Sequence, residues 1–576
     1  MFVNQRNIAG TWQNFERLVC RYLTYKGFDG PRIVGAPADK GADIVAHKGG
    51  KRWLFQVKHW RRRAGAAEVV KTVQALQFYG ADIPVLVARN GFDESAMRQR
   101  AEFFGQGVSC QLWDSAFLIE SAKKIDSAGY PPKAEEQHKT RPYQETAIKR
   151  LQEQLNSGAA PKGMIVMATG LGKTRVMCEF IRRVNARRET KVFALAHTND
   201  LVYQLERAFW PFMRANQESL VWNGMERQTA DSLRGADIVF ACVNTVANYI
   251  ANGGSLPDFD IVFVDECHHV GNDGMYQGVL QEMLAGTAGG PFLVGVTATP
   301  WRPDEYDLQQ TFGEPLLTMD LVAGLRDGFL CGVDYRMYTT NLDWSRFGGE
   351  GAENRRISPK GINRTIFISE WDEGVVNEFE RVWNELPNPR AIVFCGVISH
   401  AKMMRDRINA RQFCRAEAVF SSAGKGEQQA AYERNKIISD FHAGKIQVVC
   451  CVDIFNEGID VPDVNLVVFQ RTTHSRRIFI QQLGRGLRLA PGKEKVIVLD
   501  FVSDVRRFAM GLELKNAVQG MPVRLNHKVD FYHYGETDRR SESFLREWLE
   551  DIAAVEGMGE NAAELRYPPA MDPAIE

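Results

Sequence analysis

The sequence predicts an α/β protein made of two parallel-sheet lobes with a smaller α/β module ahead of them. Three observations predict it. From Arg141 to about residue 505, short apolar runs rich in β-branched residues alternate with helical patterns, as parallel sheets with crossover helices require. These runs fall into two separate series, too many for one sheet unit. The chain has 576 residues, room for about four domains at roughly 150 residues each. Composition agrees: 44% hydrophobic and 25% charged is globular, and excludes a disordered, collagenous or coiled-coil chain. No apolar run approaches the ~18 residues of a membrane span. Met1 to Gly10 lack the basic start and apolar stretch of a signal peptide. The ten cysteines form no CxxC pair and no metal-ligand spacing, apart from adjacent Cys450-Cys451. The expectation is a cytoplasmic protein with reduced thiols, no zinc module and no membrane partner.

Residues 1–125 form the first module. Trp12, Phe15, Leu18, Val19, Tyr22 and Leu23 recur at helical spacing, so 11–25 reads as an amphipathic helix that also carries Glu16. Gly41 to Ala46, Lys48-Gly49-Gly50-Lys51 and Arg52 to Lys58 read as a β-hairpin. With Gly49-Gly50 as a two-residue turn, Asp43 sits opposite Gln56, and Lys58 shares the face of Gln56 because side chains alternate. A carboxylate, an amide oxygen and a lysine therefore cluster at one spot. Oxygen ligands suit Mg²⁺, and a lysine can orient a water or stabilise charge. Glu16 is the candidate further carboxylate. His59-Trp60-Arg61-Arg62-Arg63 follows at once and suits phosphate contacts, a solvated basic loop being the default for a lone run. The module holds 19 basic and 12 acidic residues through residue 130, which suits a polyanion partner.

Residues 126–140, with Ser127-Ala128-Gly129-Tyr130-Pro131-Pro132, read as a linker. The first lobe, 141–318, has strands at Gly163–Met167, Val192–Ala196, Ile238–Ala241, Ile261–Val264 and Leu293–Val296. Ala168-Thr169-Gly170-Leu171-Gly172-Lys173-Thr174 follows the first of these and opens a helix, the context of a phosphate-binding loop. Met167 stands where the general pattern has its first glycine. Lys173 would reach the β/γ-phosphates of ATP and Thr174 would ligate Mg²⁺. The strand Val262-Phe263-Val264 ends in Asp265-Glu266-Cys267-His268. Asp265 would hold the Mg²⁺ shell and Glu266 would orient or deprotonate the attacking water. His268-His269 has no partner cluster that would make it a metal site.

The second lobe, 319–510, has strands at Ala391–Cys395, Gln447–Val452, Leu466–Phe469 and Val496–Leu499. Gly-rich Phe347 to Gly351 with Asn354-Arg355-Arg356 reads as a surface excursion. Arg485 and Arg488 lie one helical turn apart and are candidates for the positive charge that ATP hydrolysis needs on its developing γ-phosphate charge. Residues 511–576 form an extension with an acidic tail: 536–576 holds 11 acidic and 4 basic residues.

These patterns resemble a known family. ATGLGKT with DECH resembles a superfamily 2 DEAD/DEAH-box helicase or translocase, and the remaining motifs follow in that family's order. Arg141-Pro142-Tyr143-Gln144 resembles its adenine-reading segment, which implies that Gln144 reads the base edge with Tyr143 packed nearby. Thr297-Ala298-Thr299-Pro300 resembles the segment that couples the lobes. Asn456-Glu457-Gly458-Ile459-Asp460 and Gln481 to Arg488 resemble its fifth and sixth motifs, which implies nucleotide contacts for Gly458 and Asp460 and cleft-crossing roles for Arg485 and Arg488. The run Asp453 to Leu489 is most like the translocating subunits of type I and type III restriction enzymes. The resemblance covers roughly 365 residues and implies two tandem RecA-like lobes. It also implies that His197-Thr198-Asn199, Asn244-Thr245 and Gly396 to Ser399 hold one strand's phosphates.

Asp43, Gln56 and Lys58 resemble the PD-(D/E)xK nuclease fold, in the Mrr-like variant that carries QxK. Phe92 to Ala96 and Leu112-Trp113-Asp114 are similar to that family too. This implies a small restriction-endonuclease-like α/β domain ahead of the lobes, using Mg²⁺ or Mn²⁺. The function implied is an ATP-dependent DNA translocase or helicase joined to a metal-dependent endonuclease, in restriction or antiphage defence, acting on double-stranded DNA with defence-system partner subunits. RNA is the alternative nucleic acid. The alternative functions are a helicase whose first module only binds DNA, and an ATP-switched clamp.

Overall fold

The computed structural model describes residues 1–34, 41–132, 134–157, 161–271, 274–285, 290–298, 306–340, 369–420, 431–452, 463–470, 486–501 and 528–534. Three sheets organise them. The first has five strands in chain order: β1 (Asp29–Ile33), β2 (Ile44–Lys48), β3 (Lys51–Lys58), β4 (Ile83–Ala88) and β5 (Gln111–Asp114). The first three run antiparallel and the last three parallel. Gly49 and Gly50 have φ of 60° and 72°, the two left-handed residues of a tight hairpin turn. That turn fixes the register: Lys48 pairs Lys51 and Ile44 pairs Phe55. The ladder ends at the Ile44–Phe55 pair; the Asp43 N–H donates to Phe55 O at 2.8 Å, the residue already opposite Ile44, so the ladder does not include the expected Asp43–Gln56 pair.

The helix Trp12–Tyr25 begins at Thr11, whose hydroxyl accepts from Asn14 N. Its apolar face, with Phe15, Val19 and Tyr22 buried, packs on β2 and β3, and Tyr22 meets Trp113 of β5 edge-on. Its other side is buried as well, because it faces the next lobe. There Arg17 pairs with Glu206 at 2.6 Å and with Glu226, all three side chains being at most 5% exposed. Arg21 donates to the carbonyls of Arg214 (3.2 Å) and Gln217 (3.0 Å), and Tyr25 Oη donates to Met213 O at 2.5 Å.

The stretch read as a linker is also anchored. It carries the helix Ala134–His138, and His138 Nε2 lies 2.9 Å from Pro211 O. Ala215 N donates to Gly129 O and Asn216 N to Ser127 O. The module is therefore docked on the lobe rather than held at a distance. The reason is the second buried face of the helix, whose charges need partners that only the lobe supplies.

The second sheet holds β6 (Lys162–Met167), β7 (Val192–Ala196), β8 (Ser219–Trp222), β9 (Ile238–Cys242), β10 (Ile261–Asp265), β11 (Phe292–Thr297) and β12 (Pro315–Met319). All are parallel, in the order β12-β6-β11-β10-β7-β9-β8. β11 thus lies between β6 and β10, whose carboxyl ends are ~10 Å apart at ~4.8 Å per strand. The third sheet holds β13 (Gly332–Thr340), β14 (Ala391–Cys395), β15 (Ala416–Phe420), β16 (Val448–Val452), β17 (Leu466–Gln470), β18 (Lys495–Asp500) and β19 (Lys528–Tyr534), in the parallel order β15-β16-β14-β17-β18-β13-β19. β19 comes from the region read as an extension and pairs along β13. The excursion at 347–356 and the acidic tail lie outside the described residues. All ten cysteines are free thiols.

Candidate active sites

Two sites emerge. At the first, β6 ends in the loop Ala168 to Gly172, and the helix Lys173–Asn185 starts directly after it. Gly172 has φ 88°, and a Cβ there would meet Gln144 Nε2 at 2.6 Å. The loop therefore closes on Gln144, and only glycine fits. Gln144 Nε2 donates to Leu171 O (2.8 Å), its Oε1 accepts from Arg141 N (3.0 Å), and Tyr143 Oη donates to the same Leu171 carbonyl (2.8 Å). In this arrangement the Gln144 amide braces the phosphate loop. Reading a base edge requires it to exchange one of those bonds.

Lys173 Nζ lies 2.7 Å from Glu266 Oε1, with both side chains largely buried. Glu266 takes a left-handed conformation, φ 47°, at the end of β10, which turns its carboxylate back toward the loop. Burial works to raise its carboxyl. The Lys173 ammonium and His268 outweigh that and hold it at about 2. Its neighbour Asp265 is pushed up to about 7 by burial and by the charge of Glu266. A buried acid raised by its surroundings is one that a divalent cation would ionise, so the donor fits Mg²⁺. His268 Nδ1 lies 2.8 Å from Thr297 Oγ1 at the end of β11 and 3.3 Å from Glu266. His268 packs on His269 and His269 on His197, with ring centroids 4.5 and 4.1 Å apart. This histidine stack links the carboxylate to the end of β7, and nothing in the sequence pattern announced it.

A cavity of about 820 Å³ joins Thr169, Gly170, Gly172, Lys173 and Thr174 to Asp265, Glu266 and, from the second lobe, Arg488. The arginine read as cleft-crossing thus lines the same space as the phosphate loop. Gly30 to Val34 of the first module line it too, a contribution no motif predicts. Gly458, Asp460 and Arg485 lie outside the described residues, as do Thr299 and Pro300. Thr198 caps the helix Asn199–Phe209, Asn244 and Thr245 sit in the first turn of Val243–Ala251, and Gly396 to Ser399 line a separate hollow with Lys402 and Arg407.

At the second site, Asp43 is 5% and Gln56 2% exposed. Asp43 Oδ2 accepts from Val57 N at 2.5 Å and lies 3.7 Å from Lys58 Nζ. Thr72, on the helix Ala66–Tyr79, gives its single hydroxyl proton to Glu68 O at 2.7 Å. Its oxygen can then only accept from Gln56. With the amide so oriented, Gln56 Nε2 donates to Thr72 Oγ1 (2.6 Å) and Glu68 O (3.1 Å), and Oε1 accepts from Lys58 Nζ (3.2 Å). The amide oxygen thus faces the Lys58 ammonium, which also lies 3.7 Å from Asp43 Oδ2, and an amide and a carboxylate oxygen are hard donors of the kind that fit Mg²⁺ or Mn²⁺. Sequence reasoning missed Thr72, since a helix sixteen residues downstream carries no pairing signal.

Glu16 is buried on the helix that packs on β2 and β3. One turn later, burial pushes the Cys20 thiol up to about 12, against the charge of Arg207 and with those of Glu206 and Glu16. Glu16 therefore lies close to the seam with the first lobe. Among the described residues no three His, Cys, Asp or Glu side chains converge as a metal site, so at the second centre Asp43 is the carboxylate and Gln56 adds an uncharged oxygen donor.

Comparison with known proteins gives each part a relative. Residues 9–122 match the restriction endonuclease family. Residues 137–302 match the family of the type III restriction enzyme res subunit, and 375–490 the helicase conserved C-terminal domain. The type I restriction enzyme EcoAI endonuclease subunit of Escherichia coli is 26% identical over 64% of this chain and 46% of its own length. A putative mitochondrial ATP-dependent helicase, irc3 of Schizosaccharomyces pombe, is 25% identical over 65% of this chain and 59% of its own. The chain spans about half the length of these relatives. Among solved structures, the ATP-dependent type ISP restriction-modification enzyme LlaBIII bound to DNA aligns with a TM-score of 0.53 at 15% identity, over 95% of this chain and 42% of that one, which is a likeness of fold.

Proposed function

Since the chain unites a restriction-endonuclease module with the paired lobes of a restriction-type helicase, we propose that it is an ATP-driven DNA translocase that also cuts DNA, acting in restriction or antiphage defence with double-stranded DNA as substrate. One observation carries this reading: two side-chain clusters suited to phosphate chemistry, Lys173–Glu266 and Asp43–Gln56–Lys58, stand in the same chain with the first module docked on the first lobe.

At the first centre the loop N–H groups and Lys173 bind the phosphates of ATP, Glu266 orients the attacking water, and Arg488 answers the charge that develops on the γ-phosphate. Thr174 and Asp265 would hold Mg²⁺, which when bound neutralises phosphate charge. The second lobe carries Arg488, so hydrolysis follows cleft closure and chemistry is tied to motion. At the second centre Asp43 and Gln56, with Glu16 as the further carboxylate, would hold Mg²⁺ or Mn²⁺, which polarises the scissile phosphate. Lys58 orients the water or stabilises the phosphorane charge. Whatever partner subunits the system has would present the DNA.

The test is a plasmid assay with linear and circular DNA, metal and ATP, on wild type, Asp43→Ala and Lys173→Ala. Cutting that needs Asp43, and ATP turnover that needs Lys173, are expected. Turnover by Lys173→Ala at the wild-type rate, or DNA left intact under every metal and nucleotide with the partner subunits present, would reject the corresponding half.

A further inference from the structure

The loop His59 to Arg63 leaves β3 directly after Lys58, and the ATPase chemistry makes no use of it. It is firmly held. Asn90 Nδ2 donates to the carbonyls of Trp60 (2.7 Å) and Arg61 (3.0 Å). Ala64 N donates to Gly91 O and Asp93 N to Ala64 O, each at 3.0 Å, which pins the loop's far end. At its near end His59 Nε2 lies 2.9 Å from Ile8 O, and its ring packs on Phe15.

The three arginines differ in what they already do. The Arg62 guanidinium stacks over the Trp60 ring at 4.0 Å and pairs with Glu68 at 3.1 Å. Glu68 in turn helps hold Gln56 through its carbonyl. Arg61 and Arg63 are exposed and, among the described residues, form no ion pair. Two uncompensated cations thus sit on a preformed loop, three and five residues beyond Lys58. In extended chain that is at most ~10 and ~17 Å, the reach of the phosphates next to the one at the centre at ~3.4 Å of rise each.

We infer that this loop is the surface on which the module seats duplex DNA, with Arg61 and Arg63 on backbone phosphates and Arg62 serving to stiffen the loop. The inference rests on reading Asp43–Gln56–Lys58 as a phosphodiester-cutting centre. A polyanion with evenly spaced charges, lying across that centre, is what two unpaired cations beside Lys58 fit. Because the loop is already ordered, little conformational freedom is lost on binding.

The experiment measures binding of a short blunt duplex to the full chain without nucleotide, with Ca²⁺ replacing Mg²⁺, over a range of salt. The lobes contribute equally to every variant, so differences report the loop. Arg61→Ala and Arg63→Ala should each weaken binding and reduce the slope of log K against log salt by ~0.9, the value of one phosphate contact. Arg62→Ala should leave the slope unchanged. Melting temperatures check that the variants fold. Wild-type slope and affinity in both Arg61→Ala and Arg63→Ala would overturn the inference. Cleavage in Mg²⁺ or Mn²⁺ on the same preparations separates the two ideas. A reduced slope with no cutting keeps the seating surface and removes the nuclease reading, and cutting with an unchanged slope does the reverse.

Discussion

Gly172→Ala tests how tightly the phosphate loop is built. The residue sits at φ 88°, and its new Cβ would lie 2.6 Å from Gln144 Nε2. The left-handed backbone alone costs an alanine ~1–2 kcal/mol. Clearing the contact makes Gln144 swing away and give up its bonds to Leu171 O and Arg141 N, at ~1 kcal/mol each. If one or both are lost the sum is ~2–4 kcal/mol; an alanine loop relaxes out of this shape when empty, so ATP binding has to restore it and the same sum becomes a fall in affinity of up to ~30- to ~1000-fold at ~1.4 kcal/mol per decade. Calorimetric titration with a non-hydrolysable ATP analogue reads it. Gln144→Ala removes the atom the methyl strikes, so the double variant should bind better than the two single losses predict, by ~1 kcal/mol of coupling. Affinity within threefold of wild type for Gly172→Ala, or strict additivity in the double variant, would refute the reasoning.

Arg488→Ala should bind nucleotide within a few-fold of wild type yet turn it over ~10³-fold more slowly, and Arg485→Ala should behave alike; steady-state ATPase with a binding titration separates the two effects. Asp265 has its folded-state pKa raised to about 7. A raised acid stabilises the fold below its unfolded pKa and loses that contribution as pH rises through the folded value. For metal-free protein the melting temperature of wild type relative to Asp265→Asn should therefore fall as pH rises from about 4 to 7. Lys58→Ala should abolish plasmid cutting, as should Asp43→Ala. Gln56→Glu should keep cutting and need less metal because it adds a charge, and Thr72→Val should need more because Gln56 loses its orienting bond, both read from metal titrations of the cleavage rate.

Much of both sites was legible in the sequence because short-range rules fix them. A two-glycine turn sets a hairpin register, and period-two alternation then puts Lys58 beside Gln56. A glycine loop between a strand and a helix has one common use. The rest depends on contacts with no local signature. β12 opens with Pro315 and lies at a sheet edge, half exposed, so it shows no buried run. β13 hides its pattern behind Asp334 and Arg336, the arginine pairing with both Asp334 and Glu385. β15 is a short edge strand with a charged residue in it, Glu417. The amphipathic pattern of 11–25 gave one apolar face. It could not reveal that Arg17 and Arg21, apparently solvent residues, are buried against carbonyls and carboxylates some 190 to 210 positions away.

That seam has a practical side. Pro131-Pro132 invites a cut to make a free-standing first module, and the backbone would tolerate it. The surfaces left behind would not. The excised module would bare Phe2, Tyr25 and two arginines, and the first lobe would keep Glu206 and Glu226 together on a newly wetted face, two like charges without the Arg17 cation that now pairs with both. A transplant into another scaffold has to bring both halves of the joint, or replace Arg17, Glu206 and Glu226 together with apolar residues of like volume.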